Sequence, residues 1–121
     1  ESVEGMIDFY LEDAGNLHFD DGSFDTVLMM NMLHHVKDFR KVAAEISRVT
    51  SPGGKLVIAD FTEKGFGILE SVLNGEGRSH HRENQLMLSD TREILWQYGM
   101  HCRQQDIRFE EHLMVAEKVP G

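Results

Sequence analysis

Cysteine and tryptophan each occur once and proline twice among 121 residues. The single Cys102 excludes an internal disulfide and agrees with a reducing compartment. Basic residues are scarce: 12 Lys and Arg against 21 Asp and Glu give a net charge of -9. Binding mainly through a phosphate backbone needs clustered cations, so nucleic acid is not an expected partner. No apolar run approaches the roughly 20 residues that cross a bilayer, and no signal-peptide pattern opens the sequence. Neither a membrane nor export is therefore expected, and the expected location is cytoplasmic. Internal repeats and low-complexity stretches are absent. So is any glycine-rich turn of the G-x-G-x-G type.

What is present centres on residues 24–61. Residues 24–30 (FDTVLMM) read as a short strand without Gly or Pro, of the kind buried on both faces. From Asp38 to Val49 the period changes. Phe39, Val42, Ala43, Ile46 and Val49 recur at three- and four-residue steps, which makes one apolar helical stripe. Asp38 suits the N-cap, and Ser51-Pro52-Gly53-Gly54 stops the helix. Residues 55–61 (KLVIADF) read as a second buried strand, which makes a parallel strand–helix–strand unit.

Upstream, residues 6–11 read as a further strand, and Asp20-Asp21-Gly22-Ser23 as a solvated turn rather than a calcium loop. Downstream, Phe66, Ile68, Leu69, Val72 and Leu73 predict a short amphipathic helix closed by Gly75. A polar segment, 75–84, follows. A second helix is predicted from Ser89 or Asp90 to Gly99, with Glu93 as capping-box partner of Asp90 and Ile94, Leu95 and Tyr98 on its buried side. Two closing strands, about 101–109 and 112–119, are joined through Glu110-Glu111, a link short enough to make them antiparallel. Ligands of open α/β sheets bind beyond the carboxyl ends of the strands, where this sequence places Glu12, Asp13, Asn31 and Asp60. Asp60 reads as a plain strand-end carboxylate. His80, His81 and Glu83 could ligate a metal, but no cysteine or spaced histidine completes a set, so an exposed loop and no metal is the expectation.

Five short segments stand in a telling order: Glu12-Asp13-Ala14-Gly15-Asn16-Leu17 with Phe19, Asp21-Gly22-Ser23-Phe24-Asp25, Asn31-Met32-Leu33-His34-His35-Val36, Glu45-Ile46-Ser47-Arg48-Val49 and Pro52-Gly53-Gly54-Lys55-Leu56. Together they resemble the class I S-adenosylmethionine-dependent methyltransferases, in particular the small-molecule group with a Rossmann-like sheet. The resemblance spans residues 7–119. It implies an α/β fold, a mostly parallel sheet with a C-terminal antiparallel hairpin, and S-adenosylmethionine as cofactor. Asp13 would face the adenine amino group, Ala14 would offer its backbone N–H to the ring, and Asn31 would line the methionine side. The variable segment 62–88 would lie on the substrate side, with Phe66, Ile68, His80 and His81 as contacts to a small-molecule acceptor. His34 and His35 are the candidates for a general base, since imidazole titrates in the useful range.

The family's glycine turn and the acidic residue that ends its second strand have no counterpart in this sequence, which begins at Glu1. Residues 1–121 are thus expected to be the C-terminal part of one methyltransferase domain, lacking its first two strands. The 24–30 strand would then keep an open edge. That edge would pair with a second copy, with a separate N-terminal half, or with the 6–11 strand. Two other readings are a non-catalytic α/β interaction module and a nicotinamide-dependent oxidoreductase. The second also needs the absent glycine turn and lacks a Tyr-x-x-x-Lys pair.

Overall fold

The computed structural model describes residues 15–77 and 86–120. The expected strand at 6–11 lies outside them. Eight elements follow in order: β1 (Phe24–Met30), a 3₁₀ turn (Leu33–His35), α1 (Phe39–Val49), β2 (Thr50–Phe61), α2 (Glu63–Gly75), α3 (Leu88–Gln97), β3 (Met100–Arg108) and β4 (Glu111–Lys118). The described strands form one sheet in the order β1-β2-β4-β3. β1 and β2 are parallel, whereas β2–β4 and β4–β3 are antiparallel. Among the described residues the sheet is therefore mixed rather than mostly parallel, and no described strand pairs with the outer edge of β1.

The helix α1 forms as its apolar period requires. Asp38 sits at the N-cap with its carboxylate accepting from Lys41 N, and Phe39, Val42, Ala43, Ile46 and Val49 are buried. Their partners form one row across the sheet. Val27 and Met29 stand opposite Leu56 and Ile58, which stand in turn opposite Ala116 and Met114. Leu88, Leu95 and Met100 complete this core. Sequence suggested that β1 is buried on both faces, but the alternate side chains contradict this: Leu28 is 66% and Met30 46% exposed. An apolar run reports what a strand can bury; the helices α1 and α3 cover only one side of it.

Three boundaries also differ in detail. β2 begins at Thr50, directly after α1, and residues 51–54 bulge out between the pairs Phe24–Thr50 and Thr26–Lys55. The N-cap of α3 is Met87, because the Asp90 side chain reaches back to accept from Met87 N at 2.8 Å. Glu93 therefore has no capping role. Tyr98 is 36% exposed, and the buried residues of α3 are Leu88, Thr91 and Leu95. The β3–β4 hairpin turns at Phe109-Glu110, one residue earlier than expected. Both residues have positive φ (52° and 62°), as a two-residue turn of this hand requires. Glu110 O is held from outside the hairpin by Thr62 N at 2.9 Å.

The loop ahead of β1 is fastened to the last turn of α1. Glu45 and Arg48 are paired at 2.7 Å, and Gly22 N donates to Arg48 O at 2.8 Å. The Arg48 hydrogen bond holds the Glu45 carboxyl below its ordinary 4.5 despite partial desolvation. A depressed folded-state pKa gives stability that is present above 4.5 and is lost as pH falls through the folded value. Acid unfolding followed by circular dichroism should therefore steepen below pH 4.5. The Glu45→Gln variant should lack that part of the slope.

Candidate active site

Parallel pairing of β1 with β2 brings two carboxyl-terminal strand ends together, with Met30 opposite Ala59. One residue on, Asn31 N still donates to Ala59 O at 2.8 Å, but the backbone then turns away with φ of 56°. Asparagine accepts this left-handed conformation better than most residues, which explains its place at the tip. The chain continues into the 3₁₀ turn, closed by His35 N to Met32 O at 2.9 Å and Val36 N to Leu33 O at 3.0 Å.

Beneath this turn lies a buried His–Asp pair. His34 is 2% and Asp60 1% exposed. Asp60 Oδ2 accepts from His34 N at 2.9 Å, while His34 Nδ1 lies 2.9 and 3.0 Å from the two carboxylate oxygens. Asp60 Oδ1 also accepts from Phe61 N at 2.9 Å. Each carboxylate oxygen thus has protein partners, as burial of a charge demands. The reading of Asp60 as a plain strand-end carboxylate is corrected: it fastens the β1 turn to the end of β2. A carboxylate oxygen can only accept, so Nδ1–H donates to Asp60, which orients the ring.

Aromatic rings close around the pair. Phe66 meets His34 edge-on at 5.2 Å and Phe61 at 5.4 Å, and the His35 ring lies 4.0 Å from that of His34. Phe66 is buried in the first turns of α2, whose N-cap Thr62 accepts from Gly65 N. Of the sequence candidates, Asn31, His34, His35 and Phe66 are thus brought to one end of the sheet. His35 is exposed there, as is Met32. Ile68 is 51% exposed on α2, away from the buried Phe66 side. Asp13, Ala14, His80 and His81 lie outside the described residues. Sequence reasoning undervalued Asp60, although one signal was available: a lone acid ending an otherwise apolar strand needs a buried partner. Among the described residues, no three His, Cys, Asp or Glu side chains converge as a metal site. No described helix is long and apolar enough to cross a membrane.

A methyltransferase-domain family model matches residues 1–58, which include β1, the Asn31–His35 turn, α1 and most of β2. Over those residues the chain is similar to methyltransferase domains. Over 66 residues it is 47% identical to a demethylmenaquinone methyltransferase of Renibacterium salmoninarum, a match covering 54% of this chain and 28% of that protein. A norajmaline N-methyltransferase of Rauvolfia serpentina is 36% identical over 64 residues, or 53% of this chain and 22% of that one. The matched segments are thus about a quarter of these relatives' own length. Among solved structures, an S-adenosylmethionine-dependent methyltransferase of Methanosarcina mazei superposes with a TM-score of 0.74 at 18% identity, over 93% of this chain and 68% of that one. At such identity the likeness speaks for the fold alone.

The groups at the strand tips are compatible with S-adenosylmethionine, the cofactor that the resemblance implies. Asn31 offers amide groups at an exposed, left-handed turn, and the Asp60 carboxylate is already engaged by protein donors. A zwitterionic amino acid with an adenosine fits such hydrogen-bonding groups better than a bare phosphate does.

Proposed function

We propose that the protein transfers a methyl group from S-adenosylmethionine to a small-molecule acceptor at the carboxyl ends of β1 and β2. The observation that carries this reading is the turn at Asn31, left-handed and fastened below by the Asp60–His34 pair. Asp13 and Ala14 would hold the adenine, and Asn31 the methionine part. When bound, the cofactor supplies a methyl group already activated on a sulfonium, so proximity and alignment carry most of the catalysis. No triad is required. His35, exposed beside the tip, is the imidazole placed to take a proton from the acceptor. His34, locked to Asp60, keeps the turn beneath it in position. Phe66 with Phe61 forms an apolar wall beside the pair, and Ile68, His80 and His81 would supply contacts to the acceptor.

The experiment is a nuclear magnetic resonance titration of the labelled chain with S-adenosylhomocysteine. The amides of Asn31, Met32 and His35 should shift first. Affinity should be weaker than micromolar, because this sequence holds no glycine turn for the ribose and methionine. Shifts confined to the opposite end of the sheet, around 51–55, would overturn the assignment. Tight binding would overturn the account of what the pocket needs.

A further inference from the structure

The last turn of α3 and the start of β3 hold a ring contact that the candidate site does not use. Trp96 and His101 lie face to face, with centroids 3.6 Å apart and planes 7° from parallel. At that distance the rings overlap almost fully. Two neutral aromatic rings avoid a full sandwich, because their quadrupoles repel there, and prefer offset or edge-on pairs at about 4.5–7 Å. The phenylalanine pairs of the same chain obey that preference: Phe61 and Phe66 meet edge-on at 5.4 Å, Phe19 and Phe24 at 5.1 Å. A planar cation over an indole changes the sign, since the negative face of the ring then meets positive charge. Close packing does not impose the contact, for Trp96 is 57% exposed.

Charged groups approach this pair from four elements. On β4, Glu117 stands opposite His101 in register and lies 3.9 Å from Arg103 of β3. On β2, Lys55 stands opposite Glu117. On α3, Arg92 and Glu93 lie one turn before Trp96. From α1, Arg40 Nη1 donates to Gln97 Oε1 at 2.7 Å. Lys118 is engaged elsewhere, its Nζ donating to Ser47 O at 2.6 Å and Thr50 O at 2.9 Å. Glu117 favours a proton on His101 and Arg103 opposes one, so the indole face tips the sum. The corner itself joins several elements: Tyr98 O accepts from Ser47 Oγ of α1 at 2.6 Å, and Gly99 O accepts from Val119 N, just past β4, at 2.9 Å.

We propose that the Trp96–His101 stack is a proton-sensitive brace across the α3–β3 corner, tight when the imidazole is charged and loose when it is neutral. Imidazole gains and loses its charge between about pH 5 and pH 8. The folded chain holds the charged ring more firmly than the unfolded chain does. The brace therefore contributes stability that is fully present at the acid end of that range and is lost as pH rises through it. Its sign is opposite to that of Glu45, whose contribution disappears on acidification.

One tryptophan in the chain makes the test direct, because fluorescence reads the stack alone. An imidazolium in contact quenches indole emission, whereas a neutral imidazole quenches it little. Emission from the whole chain should fall as pH is lowered from about 8 to about 5. Tyr98 N and Gly99 N close α3 on Leu95 O and Trp96 O, both at 3.0 Å. Hydrogen exchange at these two amides should slow over the same range by about two- to fivefold beyond the intrinsic pH effect. His101→Phe keeps a ring at the position but takes no proton, so both changes should vanish in it; His101→Gln serves if that variant does not fold. Emission that stays flat in the wild-type chain overturns the proposal. So does a fall that survives in His101→Phe or His101→Gln, because the proton then sits elsewhere. A fall that vanishes in the variants, with exchange at Tyr98 and Gly99 indifferent to pH in the wild type, overturns the brace: the rings then touch without holding the corner.

Discussion

Replacing Asp60 by alanine is expected to cost the fold about 3–5 kcal/mol, since it removes the acceptor from several buried donors at about 1–3 kcal/mol each. The size follows from what is left behind. Asp60 is 1% exposed and accepts from His34 N, His34 Nδ1 and Phe61 N. Its loss strands two backbone N–H groups and an imidazole in a pocket walled by Phe61 and Phe66, where water reaches poorly. Asp60→Asn keeps the volume and one acceptor oxygen, so it should cost less, about 1–3 kcal/mol. Urea unfolding followed by fluorescence measures both. Adding His34→Ala to Asp60→Ala should cost less than the sum of the two single changes, because the second removes a group the first had orphaned. Strict additivity would mean that the pair is not a unit. The functional consequence is local. With the latch open, the Asn31 turn loses its support, and the amide shifts of residues 31–35 should broaden even under conditions where β2 and β4 remain folded.

That latch was hidden from the sequence for a plain reason. His34 and Asp60 are 26 positions apart, and no periodicity links a turn to the end of a later strand. Local signals carried what is local. Asp38, the Phe39-Val42-Ala43-Ile46-Val49 stripe and the apolar run before Asp60 each fix an element through its own neighbours, and α1 and β2 follow them closely. Even there, boundaries moved where a side chain reached backwards, as Asp90 does to Met87. Apolar content was less informative about exposure. Leu28, Met30, Ile68 and Val72 are more than 40% exposed, because burial depends on which layer is packed over a face. The arrangement at the strand tips was half legible: Asn31 and the two histidines stood out as polar residues following an apolar strand, whereas the partners of Asp60, Glu45 and Arg48 lie across the fold.

Two glycines in one helix should answer the same substitution with opposite signs. Gly65 and Gly67 both lie in α2, yet only Gly65 is buried. A Cβ on Gly65 would overlap Glu110 O and come within 3.3 Å of the Phe61 and Glu110 side chains, whereas one on Gly67 meets nothing within 4 Å. Glu110 cannot yield cheaply. It sits in a two-residue turn at φ of 62° and its carbonyl is already held by Thr62 N. Gly65→Ala must therefore push the first turn of α2 away from the hairpin, at a cost of about 1–3 kcal/mol as in other overpacked sites. Gly67→Ala should stabilise by about 0.5–1 kcal/mol, since it replaces the more flexible residue inside an exposed helical stretch. Thermal unfolding of the two variants reads both signs at once. The Gly65 change also reaches the site, because the next residue, Phe66, packs edge-on against His34. A shifted α2 should therefore alter the ring resonances of His34, while Gly67→Ala leaves them unchanged. Equal effects at the two positions would mean that α2 is not seated on the hairpin, and that Phe66 is not held against the Asp60–His34 pair by this close approach.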